Sequence, residues 1–422
     1  MAELILALAL VYLAGSGDSL PSTRPDDSAA AGKDADLIPH SVTCACLPFV
    51  SSSLGDAAHT HTNCSFGCLG TYNASLSGFE LSAGVNAEAR NAEGWQVAGV
   101  SNFVGGRFRG LQTAVGVNFA ARGLRGVQVA GGVNGSGAEV RGFQGAFGAN
   151  VALEEVSGLQ VAGGLNVCAG SVRGIQAAYC ASFAQNGITG LQGAWVNATL
   201  GNVTGVQAGP AASVALGRVR GLQAAGLTFA KELRGCQVGL LNIGVDAVGT
   251  QIGLINVSRT MHGASVGLLS ISGSGHATLD GWIDEAAQLN IALGTSVSGT
   301  HNLYFVGGAP TTRPMTGSAG IGIGTHFPVY DVSGIVEGLA SVLYTAGEDP
   351  GLAGMVMRLR LLGGWSMAPG LLTFAGPTVS IAVPWYGRDI PYPNLGVPFI
   401  AAESGPVRGW LGFTYGVRLF GR

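Results

Sequence analysis

Between residues 78 and 275 apolar and polar positions alternate with a period of two, and the alternation itself repeats. A glycine opens each unit at Gly78, Gly94, Gly110, Gly126, Gly142, Gly158, Gly174 and Gly190, in steps of sixteen. The series goes on at Gly205, Gly221, Gly235, Gly249 and Gly263, in steps of fourteen to sixteen. Two places after the glycine stand Gln96, Gln112, Gln128, Gln144, Gln160 and Gln176, and the column runs on to Gln251. Glu80 and Ser265 are its two exceptions. Midway through the unit a second column holds Asn102, Asn118, Asn134, Asn150 and Asn166, with Ser or Thr in four units. Aliphatic residues such as Leu159, Val161 and Leu165 fill the alternate places.

A period of two belongs to a strand. An amphipathic helix would recur every 3.6 residues, and each interior Gly would cost it ~1 kcal/mol relative to Ala. Two membrane-spanning strands need ~9–11 residues each plus turns, which a unit of this length cannot supply. Like amides gain most when stacked in register about 4.8 Å apart. The pattern therefore predicts an all-β chain with a parallel β-solenoid of about thirteen coils of 14–16 residues. An antiparallel meander is the competing arrangement. The repeated glycine suits a corner of positive φ. The Gln/small/Asn side reads either as an interior ladder or as a flat surface for ice or a polysaccharide. Arg109, Arg125, Arg141, Arg173, Arg220 and Arg234 each precede a repeat glycine and predict a charged edge.

Past Gly275 the repeat fades and longer alternating runs begin. In Gly354–Leu362, Met355, Met357, Leu359 and Leu361 oppose Val356, Arg358 and Arg360. In the last thirteen residues Leu411, Phe413, Tyr415, Val417 and Leu419 oppose Gly412, Thr414, Gly416 and Arg418. Seven or so such runs predict an antiparallel β-barrel-like domain. Alternation alone leaves open whether lipid or protein covers the apolar side. Tyr344, Trp365, Trp385, Tyr386, Trp410 and Tyr415 are candidate interfacial aromatics.

The apolar run Met1 to Gly15 is too short for a spanning helix, which needs ~20 residues, and fits an export signal in which Glu3 replaces the usual basic residue. The domains expected are a signal peptide (1–16), a flexible linker (17–43), a Cys-containing N-terminal cap (44–77), the solenoid (78–276) and the barrel-like domain (277–422). Cys44, Cys46, Cys64 and Cys68 are disulfide candidates in an exported segment, with metal binding the alternative. Cys168, Cys180 and Cys236 read as core fillers.

With 71 Gly, 47% hydrophobic and 11% charged residues and a formal charge of -3, no basic field recommends a nucleic-acid partner. No catalytic motif, resident metal site or cofactor fingerprint stands out. Asp284 and Glu285 are adjacent, so on a strand they would point to opposite faces. A non-enzymatic chain is expected.

The unit "GLQVAGGLN…VRG", and more plainly "GCQVGLLNIGVDAVGTQIGLINVS" (Gly235 to Ser258), resembles the surface-repeat proteins of leptospires and other diderm bacteria. The likeness covers residues 78–275, about half of the chain. It implies an export signal, a strand-rich C-terminal part and a bacterial surface location, and it brings no catalytic residue. The expected function is a structural or adhesive envelope protein, with the outer membrane as its setting and a polysaccharide or a host or envelope protein as possible partner. The alternative is a soluble secreted solenoid binding a polysaccharide or ice along its Gln/Asn face.

Overall fold

The computed structural model describes residues 37–47, 50–51, 59–285, 289–309, 315–329, 332–346, 351–385, 397–400 and 407–420. The expected signal peptide and the expected linker up to residue 36 lie outside them. The described residues carry no α-helix; they form a parallel β-solenoid followed by a closed antiparallel barrel.

Each coil of the rod contributes two strands, and like strands stack coil on coil. Leu124–Ala130 lies parallel on Val140–Ala146, with Arg125 opposite Arg141, Gly126 opposite Gly142 and Gln128 opposite Gln144. The shorter Val117–Ala120 lies on Val133–Ser136 with Asn118 opposite Asn134. The repeat period is therefore the coil, and the meander is excluded. Stacking begins before the repeat: Ile38–Leu47 pairs in parallel with Thr60–Gly67, which pairs with Ser75–Ser82. The segment expected as a separate cap is thus continuous with the rod, and residues 38–43 of the expected linker already belong to a strand.

The thirteen repeat glycines all have positive φ, between 119° and 149°. Each sits directly over its predecessor, so that a Cβ at Gly158 would run into the carbonyl oxygen of Gly142. Both the torsion and the close approach demand glycine. Inside the coil, Leu124, Val140, Val156, Val172 and Ile188 stack into one apolar core column.

The barrel has eight strands: His276–Ile283, Leu289–Val297, Thr300–Ala309, Met315–Val329, Val332–Ala346, Gly351–Ala368, Leu371–Pro384 and Arg408–Phe420. Each pairs antiparallel with the next, and the last returns to the first with Asp280 opposite Arg418, which closes the cylinder. At eight strands the interior is just wide enough for side chains to fill it. The Leu289–Val297 and Thr300–Ala309 strands are joined through Ser298 and Gly299, both at positive φ (50° and 85°), as a tight hairpin of matching twist requires. That hairpin also covers the end of the rod. The Gly263 N–H donates to Ser298 Oγ (3.0 Å) and the Ser265 N–H to Thr300 Oγ1 (3.2 Å). Capping of this kind protects the last parallel edge from pairing with another chain.

Candidate functional site

In both halves of the molecule a set of polar side chains points inward. In the rod the Gln column is fully buried, as are the Asn residues. Each Gln Nε2 donates to the Gln Oε1 of the preceding coil: Gln112 to Gln96 (2.8 Å), Gln128 to Gln112 (2.7 Å), Gln144 to Gln128 (2.8 Å), Gln160 to Gln144 (2.8 Å) and Gln176 to Gln160 (3.1 Å). The Asn column donates the other way, to the following coil: Asn102 to Asn118 (2.8 Å), Asn118 to Asn134 (2.9 Å), Asn134 to Asn150 (3.0 Å) and Asn150 to Asn166 (2.9 Å). Its direction is set by a second bond from the same nitrogen to a backbone carbonyl, as from Asn118 to Val129 O (2.7 Å).

Polar groups withdrawn from water are tolerated when each has a partner, and the Gln stack provides one for every Nε2 from Gln112 to Gln251. The exceptions in the Gln column, Glu80 and Ser265, stand at its ends, whereas Ser182, Ser213 and Thr228 interrupt the Asn column within the rod. Gln96 donates to Glu80 Oε2 (2.8 Å), which ends the Gln ladder, and Thr71 Oγ1 donates to Asn86 Oδ1 (2.8 Å) at the start of the opposing ladder. Burial of both columns corrects the alternative of a Gln/Asn surface for ice or polysaccharide, because those side chains present nothing to solvent.

The outside of the rod is apolar on both sheet faces and along one edge. Val115, Phe147, Tyr179 and Trp195 project from that edge at 72%, 83%, 67% and 49% exposure. The opposite edge carries the charges. Arg109, Arg125 and Arg141 stack there as expected, interleaved with acids in exposed pairs such as Arg173–Glu155 (3.1 Å) and Arg218–Glu232 (2.7 Å).

The barrel interior is charged. Glu337 accepts from His301 Nε2 (2.6 Å) and Arg418 Nη2 (2.7 Å) and from Arg360. Arg418 also holds Asp280 through Nε (2.9 Å) and Nη2 (2.6 Å). Arg360 lies over the Trp282 ring, 4.5 Å from its centroid, a cation–π contact in a desolvated site. Nearby, Arg358 bridges Asp284 (2.8 Å) and Glu285 (3.4 Å), and Glu285 further accepts from Thr378 (3.1 Å), Ser380 (3.2 Å) and Trp410 Nε1 (2.7 Å). Asp284 and Glu285 follow the end of their strand in a turn, so both reach the lumen rather than opposite faces. Aromatic and aliphatic side chains, among them Phe305, Phe374, Leu303 and Ile335, fill the remaining lumen.

The barrel wall is the reverse. Leu293, Val306, Ile321, Met357, Leu411, Phe413 and Leu419 point outward and are exposed. The expected alternation holds in the strands Gly351–Ala368 and Arg408–Phe420, with Arg358, Arg360 and Arg418 inside. Tyr344, Trp365 and Tyr415 lie on the outer wall, but Trp410 is turned into the lumen; Tyr386 lies outside the described residues.

Of the cysteines, Cys168 alone of the three within the repeats is buried, where burial pushes its thiol up to about 11. Cys180 is exposed and Cys236 half-buried, so neither fills the core. In the first coils Val42 stands opposite Cys64 and Cys44 opposite Phe66, so the thiols of these strands are offset by two rungs. Cys68 follows the second strand, its N–H donating to Ala45 O (2.9 Å), and the side chain of Cys46 lies outside the described residues. Among the described residues no three His, Cys, Asp or Glu side chains gather as a metal site.

The lumen network was hidden from sequence reasoning because its members lie far apart; Arg418 and Asp280 are separated by 138 positions. The one local signal was charge at the inward places of otherwise apolar strands.

No protein-family model matches the chain, and no curated protein matches it. Two solved structures are similar in part. The crystal structure of Neisserial surface protein A aligns over 34% of this chain and 93% of its own, at 12% identity and a TM-score of 0.23. The N-terminal β-barrel domain of Pseudomonas aeruginosa OprF aligns over 35% and 96%, at 8% identity and a TM-score of 0.25.

Proposed function

We propose that the chain is a non-enzymatic envelope protein whose barrel sits in an outer-membrane-type bilayer and carries the solenoid as a structural element of the cell surface. One observation supports this above the rest: the barrel buries Asp280, Glu337, Arg360 and Arg418 and exposes its aliphatic residues. In water the apolar wall would stay exposed, a contiguous patch that soluble proteins rarely carry. In a bilayer the wall is solvated by hydrocarbon, and strands of a closed barrel leave no backbone group without a partner. The filled lumen argues for a structural anchor rather than a channel. The resemblance of the repeats to the surface-repeat proteins of leptospires agrees with this setting.

The test is fractionation of a diderm bacterium expressing the full chain. Recovery in the outer membrane, release only by detergent, and a faster-migrating band in unheated gel samples are expected. Full solubility in detergent-free buffer would sink the reading.

A further inference from the structure

We infer that the solenoid is itself a lipid-facing element, its apolar edge lying in the same hydrocarbon layer as the barrel wall; this rests on the membrane reading of the barrel. The two surfaces are continuous. The last coils of the rod stand beside the outer wall of the barrel across an open apolar cleft of about 1230 Å³. Leu240, Leu254 and Leu268 line it from the rod, and Ile321, Met357 and Val379 from the barrel. A layer of acyl chains that wets the barrel at Met357 therefore also reaches Leu254.

Charge segregation points the same way. The ion pairs Arg141–Glu139, Arg173–Glu155, Arg234–Glu232 and Arg259–Asp246 all occupy the edge opposite the apolar one. That edge is suited to water and headgroups, while Phe147, Tyr179 and Trp195 supply the side immersed in lipid. The backbone poses no obstacle, because parallel stacking pairs the strands coil to coil and the barrel hairpin covers the last edge. The polar amides are inside, where lipid does not meet them. Away from its charged edge the rod thus has the surface chemistry of the barrel without its closed cylinder. Its occupant is lipid hydrocarbon, held in the cleft and along the exposed faces.

Tryptophan quenching tests this on the full chain. The protein is reconstituted in phosphatidylcholine vesicles whose acyl chains carry bromine, and the quenchable emission is compared among wild type, Trp365→Phe on the barrel wall, and Trp195→Phe and Trp95→Phe on the rod. These are exposed sites, so the buried Trp282 and Trp410 stay in place. The expected result is loss of quenchable emission in the Trp195→Phe variant comparable with that in Trp365→Phe. Loss in Trp365→Phe alone overturns the inference and leaves the membrane reading standing. No bromine quenching at Trp365 overturns the membrane reading itself and the inference with it. Protection of Trp195 from bromine together with a cross-linked dimer in the vesicles assigns its surface to a second copy, and also overturns the inference.

Discussion

Rod and barrel both turn aliphatic side chains outward and hide polar ones, yet they satisfy the hidden groups by opposite means. The rod uses neutral amides, its Gln residues bonded each to the next 14 to 16 residues away. The barrel uses full charges whose partners lie 23 to 138 residues apart. Repetition makes burial of a polar group a local matter, solved once and copied. The barrel has no repeat to copy, and needs charge-assisted bonds strong enough to draw distant strands together. The rod should therefore fail coil by coil and the barrel as a whole.

The largest expected effect is in the barrel. Glu337→Ala removes the acceptor shared by His301, Arg360 and Arg418. Breaking a buried ion pair from one side costs about 3–5 kcal/mol. Loss of the heat-modifiable band, with the rod still resistant to protease, checks both the size and the independence. An equal loss of rod protection would break the comparison.

Next comes the corner column. Gly158→Ala forces a side chain onto φ +144° and into Gly142, a strain of about 1–3 kcal/mol before any shift of the neighbouring coil. Hydrogen exchange should quicken in the adjacent coils and remain unchanged in the barrel. Gln160→Leu is expected to cost about 1–3 kcal/mol, because the amides of Gln144 and Gln176 each lose a buried partner. Thermal melting of the two variants, compared with Glu337→Ala, gives the order.

A subtler contrast is pH. Burial, then the neighbouring Glu80, push the Glu88 carboxyl well above its ordinary 4.5. The folded rod holds that proton more tightly than the unfolded chain does. The resulting stability is complete below 4.5 and is lost as pH rises through the elevated value. Hydrogen exchange in Val85–Glu88, corrected for intrinsic rates, should therefore quicken as pH rises, and Glu88→Gln should abolish the trend. The smallest effect is at the charged edge. Arg141 and Glu139 pair in the open, and Arg141→Ala should leave the melting temperature unchanged, since exposed ion pairs add little.

Much of the rod was legible because the same residue types recur at every coil: glycine columns announce the corners, and Gln and Asn columns announce parallel register. Which side faced inward was not legible. Alternation is symmetric between the faces of a strand, and only the bonds between Gln144 and Gln160 show that the amide side is the interior. In the barrel the strands around Arg358 and Arg418 could be read as alternating, but which of their faces lines the lumen could not. The first strand, His276–Ile283, carries little local signal, because its inward Asp280 and Trp282 resemble neither a repeat unit nor an apolar alternation. Closure depends on its meeting a strand from the far end of the chain, and no local pattern encodes that meeting.

The opposed directions of the two ladders bear on how such a chain can change length over generations. Side-chain dipoles of the Gln and Asn columns point contrary ways along the axis, so each added coil brings little net polarity. A coil duplicated or deleted where both columns are unbroken, between Gln112 and Gln160, leaves every amide donor of the ladders facing an acceptor. The first coils differ, because there Glu80 accepts from Gln96 and Thr71 donates to Asn86. Recombination can therefore lengthen or shorten the rod between fixed ends, much as beads are threaded between two unlike clasps.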